Sequence, residues 1–299
     1  MTDPIVSRMQ TRAFYDDYEK VQQYLADQLK KEQVALFLGS GVSKAFGLPL
    51  WEDLLDTAFA RKGAVRPDKL SNEDAAEYLL LDLFRGDQDE FHRALREALY
   101  EHVNMAGLRD QLRHSPTLQA LGALFIRSNR GSIRTVVTFN FDDLLESYLT
   151  DGGYFVQPIL TAPPWTENSD VRVFHPHGVL PIDDTRPPTD VVIAQIHFDR
   201  MIGNKNNAWR AALLSILSSH TCIFLGLSGA DANLTSLLAE AKDIHPATLR
   251  KDMFWGFRFS DNENDPRRLK WENRGISQIT MDYNDLPEWL RGVARLARS

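Results

Sequence analysis

Hydrophobic positions along this 299-residue chain fall into two alternating rhythms. Over Asp17 to Lys31, Val21, Tyr24, Leu25 and Leu29 share one helical face among charged residues. The run Val34-Ala35-Leu36-Phe37-Leu38 then ends at Gly39, which predicts a buried parallel strand. A helix follows the glycine loop, because Trp51, Leu54, Leu55, Ala58 and Phe59 recur at helical spacing. From Gly63 to about residue 128 the texture changes. Leu79, Leu80, Leu81, Leu83 and Phe84 cluster, Phe91, Leu95 and Leu99 repeat every fourth residue, and no strand pattern intervenes. This stretch predicts a helical insertion. Ser115-Pro116 marks a late helix start within it, a capping serine followed by proline at the first helical position.

Strand-like runs resume at Thr135 to Phe139, Val171 to Phe174, Val191 to Ala194, Cys222 to Leu225, Met253 to Phe257 and Ile276 to Thr280. Helical patterns separate several of them, at Asp142 to Leu149, Trp209 to Leu217, Leu234 to Ala241 and Leu286 to Leu296. The alternation predicts an α/β fold: a Rossmann-like parallel sheet with helices on both faces, in one domain over 1–299 with the insertion at about 63–128. In such sheets ligands bind outside the carboxyl ends of the strands, so the informative residues are those just after strands.

Composition narrows the function classes. The chain is 43% hydrophobic and 25% charged, as expected of a globular protein with a sizeable core. It lacks the roughly 18 consecutive apolar residues that a membrane span needs and an apolar leader, so a cytoplasmic protein is expected. A formal charge of −7 argues against a general nucleic-acid binder; the pairs Arg250-Lys251 and Arg267-Arg268 read as solvated surface. One cysteine, Cys222, excludes an internal disulfide framework and a multi-cysteine zinc site. Its place in an apolar strand points to a buried, inert thiol.

Four polar motifs stand at predicted strand exits. Gly39-Ser40-Gly41-Val42-Ser43 follows the first strand, and Gly47-Leu48-Pro49 closes the turn. Glycines let backbone approach a pyrophosphate, and the free N–H groups of a helix start attract its charge. The spacing is neither G-x-G-x-x-G nor a P-loop, and the same residues would equally make a tight turn with no ligand. In the second motif, Asn140-Phe141-Asp142-Asp143, Asn140 is placed to orient a ribose or a water, and Asp143 reads as a helix cap. The third, His175-Pro176-His177-Gly178, offers a general base, or else a pair of hydrogen-bonded loop histidines. No third ligand at useful spacing favours a metal. The fourth is Gly226-Leu227-Ser228-Gly229, followed by Asp231 and Asn233 as candidate caps.

Taken in order, Gly39-Ser40-Gly41-Val42-Ser43, Gly47-Leu48-Pro49, Asn140-Phe141-Asp142, His177-Gly178 and Gly226-Leu227-Ser228 resemble the motif series of the sirtuin family. The resemblance is closest to the bacterial sirtuin-like proteins of antiphage defence, and it spans about Val34 to Thr280. It implies that Gly39, Ser40, Gly41, Ser43, Gly47 and Pro49 form the pyrophosphate loop. Asn140 and Asp142 would face the nicotinamide ribose and carboxamide, and His177 would be the base. Gly226 and Ser228 would line the adenosine ribose, with Gly275 on the adenine side. Two departures select among activities. Deacylases of the family carry two pairs of zinc cysteines, absent here, and F-R after the proline, where this chain has Leu50-Trp51-Glu52. The resemblance therefore implies the NAD⁺-hydrolysing branch, with NAD⁺ as substrate, no metal, and NAD⁺ depletion in abortive infection. The alternatives are a regulatory module binding NAD⁺ or an ADP-ribose derivative, a deacylase, and a nuclease acting with a partner ATPase. It further implies a homo-oligomer and a separate activator, a HerA-type hexameric DNA translocase or alternatively a short Argonaute.

Overall fold

The computed structural model describes residues 12–126, 131–162, 168–183, 185–189, 191–197, 207–229, 231–244 and 254–299. The basic pair Arg250-Lys251 and the start of the expected strand at Met253 lie outside them.

Seven strands form one sheet: β1 (Val34–Leu38), β2 (Thr135–Thr138), β3 (Val156–Ile159), β4 (Val171–Phe174), β5 (Thr221–Leu225), β6 (Gly256–Ser260) and β7 (Ile276–Thr280). Their order is β3-β4-β2-β1-β5-β6-β7. The pairs β3–β4, β5–β6 and β6–β7 run parallel, with Phe224 opposite Arg258 and Arg258 opposite Gln278. The order reverses at β1, the strand that leads into the first glycine loop. At such reversals, ligands of open α/β sheets sit beyond the carboxyl ends of the strands. β1 and β5 are buried along their whole length, which is why they read as unbroken apolar runs.

The α-helices are α1 (Arg12–Tyr15), α2 (Tyr18–Lys30), α3 (Trp51–Arg61), α4 (Asn72–Tyr78), α5 (Gln88–Leu99), α6 (Leu108–His114), α7 (Pro116–Phe125), α8 (Leu144–Asp151), α9 (Ala208–Ser219), α10 (Ala232–Ile244), α11 (Arg268–Glu272) and α12 (Leu286–Arg298). Local chemistry sets several of their starts. Asp17 accepts the Lys20 N–H ahead of α2, and Ser115 accepts the Leu118 N–H ahead of α7, with Pro116 at the first position as expected. Between β1 and β2 the described residues contain no strand.

The chain divides into two compact units. The first gathers Met1–Phe37, Ser115–Val136 and Leu213–Ser299. In it α12 packs on α2 and α7, burying Leu286, Leu290, Val293, Ala294 and Ala297 on one face. The second gathers Leu38–His114 and Val137–Ala212. There α3 packs on α4 and α5, and α8 on β3 and α6.

Two strand expectations need correction, and one strand adds to them. Val191 to Ala194 is not a strand. Its backbone and that of Thr189 bond to the turn-containing segment 177–179, where Gly178, at a φ of 79°, breaks the extended ladder. β3 was not expected, because it is half-exposed and carries Pro158; it lies on the sheet edge, where proline is tolerated. β6 runs through Arg258 to Ser260 instead of stopping at Phe257, since an ion pair with Asp265 lets the arginine be buried.

Candidate functional site

In the second unit the turn after β1 is closed by its own backbone. Val42 N–H donates to Gly39 O at 3.0 Å, and Ser43 and Lys44 N–H donate to Ser40 O at 3.1 and 3.0 Å. The amides of Ser40 and Gly41 have no partner among the described residues, and both residues reach solvent. A 3-10 turn, Lys44–Phe46, follows, and Gly47 ends it at a φ of 89°. A Cβ at Gly47 would lie 2.9 Å from the His102 carbonyl, so that turn admits glycine alone. Pro49 precedes Leu50, the residue at the start of α3.

The loop after β2 lies against this turn. Phe139 N–H donates to Leu38 O at 3.0 Å, and Asn140 N–H to Thr138 Oγ1 at 3.1 Å. The Asn140 side chain is buried; its Nδ2 donates to Ser43 Oγ at 3.0 Å, and its Oδ1 has no partner among the described residues. Buried amides are normally satisfied at both ends, so this oxygen marks a place for a donor. Ser43 also bonds the carboxyl of Asp142, which joins three of the expected site residues in one network. Asp142 is fully buried; burial pushes its carboxyl up to about 6 despite the bonds from Ser43 and from the Leu144 amide.

Asp143 departs from its expected role. It stands before α8, but its side chain makes no capping bond; Asp142 takes the Leu144 N–H at 3.2 Å instead. Asp143 Oδ1 accepts the Ile182 N–H at 2.9 Å, and Oδ2 pairs with Arg186.

Beyond β4 the two histidines separate in role. His177 is buried, its ring edge-on to Phe139 at 5.0 Å between centroids and 6.5 Å from Phe141. The aromatic residues of the asparagine loop therefore pack beside the expected base. The Gly178 N–H closes the turn onto His175 O at 3.0 Å. His175 is the structural member of the pair: it is fully buried, with Nε2 bonded to Glu146 of α8. Burial alone would lower its pKa; the charge and hydrogen bond of Glu146, with Asp142 and Asp143 behind it, outweigh that and raise it. Sequence reasoning missed Glu146, for nothing in a helical glutamate announces a partner 29 residues later.

The other expected positions belong to the first unit. Gly226, at a φ of 68°, and Ser228 follow β5, and Lys270 Nζ donates to Gly229 O at 2.9 Å. Asp231 accepts the Leu234 N–H at 2.7 Å and caps α10, as expected. Gly275 does not stand at a strand exit. It precedes β7 at a φ of 81°, and a Cβ there would meet the Trp255 indole at 2.4 Å, so packing at the amino end of the strand accounts for this glycine. Cys222 is buried in β5, and burial pushes its thiol well up, as for an inert thiol. Among the described residues no group of three or more His, Cys, Asp or Glu is arranged to hold a metal ion, and no helix is long and apolar enough to cross a membrane.

A parallel sheet with glycine-rich turns, a buried Ser-Asn-Asp network and a histidine at its strand exits defines a Rossmann-like α/β protein with a polar site. Residues 134–279 match the family model described as a SIR2-like domain. The chain is similar to the NAD(+) hydrolase ThsA of Enterococcus faecium, 22% identical over 285 residues, covering 91% of this chain and 54% of that protein. It thus spans about half the length of that relative. Two solved structures align with a TM-score of 0.48 over 93% of this chain. One comes from work on the mechanism and regulation of Sir2 enzymes, at 14% identity and 96% of its chain. The other is a Sir2 homologue in complex with NAD, at 15% identity and 94% of its chain.

Proposed function

We propose that the chain hydrolyses NAD⁺ to nicotinamide and ADP-ribose. The observation that carries this reading is the Ser43–Asn140–Asp142 network, with an unmet Asn140 oxygen and His177 packed beside the same loop. Likeness to an NAD(+) hydrolase across most of this chain supports it.

Nicotinamide in NAD⁺ is already cationic, so it leaves with the C1′–N electron pair and needs no proton donor. The transition state carries oxocarbenium charge, and the site's work is to stabilise that charge and to orient the attacking oxygen. With Asn140 Nδ2 donating to Ser43, its unpartnered Oδ1 accepts from a water or a ribose hydroxyl. His177 accepts a proton from that ribose hydroxyl or from the water, and it is the water oxygen that bonds to C1′ as nicotinamide leaves, giving ADP-ribose. Asp142 accepts from the carboxamide of nicotinamide. The Ser40 and Gly41 amides, with the rest of the Gly39–Ser43 turn, meet the pyrophosphate, and Gly47 and Pro49 set the exit of that turn. Gly226 and Ser228 serve the adenosine ribose; Gly275 is left out of the site. No step calls for a Lewis acid, so a chelator should leave nicotinamide release unchanged, measured with and without EDTA. In a cell this reading makes the chain the cytoplasmic, NAD⁺-depleting effector of an antiphage system. It would act as a homo-oligomer with a separate activator of the HerA-type translocase class. A monomeric mass by light scattering would count against that assembly.

The deciding experiment is incubation of the purified chain with NAD⁺, alone and with its genomic neighbour's product, and chromatography of nicotinamide and ADP-ribose. His177→Ala and Asn140→Ala should lower release by about 10²- to 10⁴-fold. Wild-type turnover in His177→Ala would remove histidine from the base role. NAD⁺ binding by calorimetry with no release under any condition would make this a regulatory binding module instead.

A further inference from the structure

The segment that carries His177 is buried from His175 to Pro181, yet it is neither helix nor strand. Buried irregular backbone must find partners for its polar groups outside regular ladders. On the His177 side it does so locally, with Gly178 N–H on His175 O and Val192 N–H on His177 O. Downstream the partners come from elsewhere. Leu180 N–H donates to Phe141 O at 2.7 Å, and Ile182 N–H to Asp143 at 2.9 Å. The three successive carbonyls of Leu180, Pro181 and Ile182 are taken by Arg96 of α5 and by Tyr100, the residue that caps its carboxyl end. Tyr100 Oη donates to Leu180 O at 2.8 Å, Arg96 Nε to Pro181 O at 2.7 Å, and Arg96 Nη2 to Ile182 O at 2.9 Å.

Arg96 stands in the last turn of α5 and Tyr100 caps it, so the end of one helix presents both. The planar fork of arginine spans two carbonyls at fixed geometry, which a lysine ammonium does not reproduce. Burial, with Asp142, Asp143 and Glu146 close by, pushes the Tyr100 phenol well above its ordinary value, so it remains a donor throughout the neutral range. Neither residue belongs to the motif series at the strand exits.

We propose that Arg96 and Tyr100 are positioning residues for His177: the helical insertion clamps the segment after the histidine and holds its ring where the ribose hydroxyl or water gives up its proton. This rests on the NAD⁺-cleaving reading above, in which His177 is the base. The insertion is then part of the catalytic apparatus, and displacement of α5 detunes the base without touching the nucleotide.

The test uses the full chain and its activating partner where one is needed. Nicotinamide release is followed across NAD⁺ concentrations for wild type, Arg96→Ala, Arg96→Lys and Tyr100→Phe, with amide hydrogen exchange on each. In Arg96→Ala, kcat should fall about 10- to 100-fold, the scale of a small misplacement of a reacting group, with KM changed less than about threefold. The Leu180 and Ile182 amides should exchange about tenfold faster while β1 and β5 keep wild-type protection, as expected of a local opening. Arg96→Lys should recover part of kcat, since it still donates to one carbonyl, and Tyr100→Phe should lose less than Arg96→Ala. Unchanged kcat in Arg96→Ala overturns the proposal, as does an activity loss accompanied by faster exchange across the sheet. If Arg96→Ala does not fold, Tyr100→Phe and Arg96→Lys decide by the same criteria. If wild type releases no nicotinamide, the NAD⁺-cleaving reading fails by itself. The exchange rates, with the His177 ring signals in NMR spectra of wild type and Arg96→Lys, then decide the clamp: an unmoved ring overturns it.

Discussion

Asn140 shows how one bond sets the meaning of a residue. With Nδ2 donating to Ser43, Oδ1 is the side-chain atom left without a partner among the described residues. Ser43→Ala therefore releases the amide and also removes a bond that lowers the Asp142 pKa. We expect kcat to drop by about tenfold, within the range for a lost orienting contact, and an Asp142-linked limb of its pH profile to move to higher pH. The same carboxyl makes a stability prediction. Burial raises its pKa in the fold to about 6, above the ordinary 3.8, so the fold prefers the protonated form. Its contribution is full below the unfolded value and is lost as pH rises through about 6. Between about pH 4 and pH 8, Asp142→Asn should gain on wild type by as much as about 3 kcal/mol, read from urea midpoints at the two pH values. His175 has the same sign: its pairing with Glu146 stabilises below the ordinary histidine value and fades as pH rises through the elevated one. Gly47→Ala meets both a positive φ and the His102 carbonyl, and should cost about 1–3 kcal/mol by thermal denaturation.

At the scale of elements, periodicity located the long helices and the fully buried strands well. α12 carries its apolar residues on one face, and that face packs on α2 and α7. Leu290→Ala in this interface should cost about 2–5 kcal/mol, measured by chemical denaturation. The misreadings have physical causes. Val191 to Ala194 is apolar because it is buried against the histidine turn, and burial alone does not make a ladder. β3 hides behind its proline and its exposure. β6 hides its second half behind Arg258, a charge admitted to the core only because Asp265 meets it.

For the whole molecule, strand order is the decisive property. It reverses at β1, which puts the first glycine loop where a doubly wound sheet takes its ligand. The −7 charge is spread over a chain whose described ion pairs are mostly exposed, so raised salt should change stability little, by less than about 1 kcal/mol per pair. A large shift of the thermal midpoint between low and moderate salt would contradict this.

Much of the candidate site was written in local order: a glycine turn, an Asn-x-Asp loop and a His-Gly pair, each just after an apolar run. Such motifs depend on residues a few positions apart, and the chain itself supplies that proximity. Nothing local could reveal that Ser43 joins Asn140 to Asp142, that Glu146 takes His175, or that Arg96 and Tyr100 hold the segment after His177. Those contacts join residues 29 to 99 positions apart. They arise only when sheet and helices close on one another and buried polar groups must find partners.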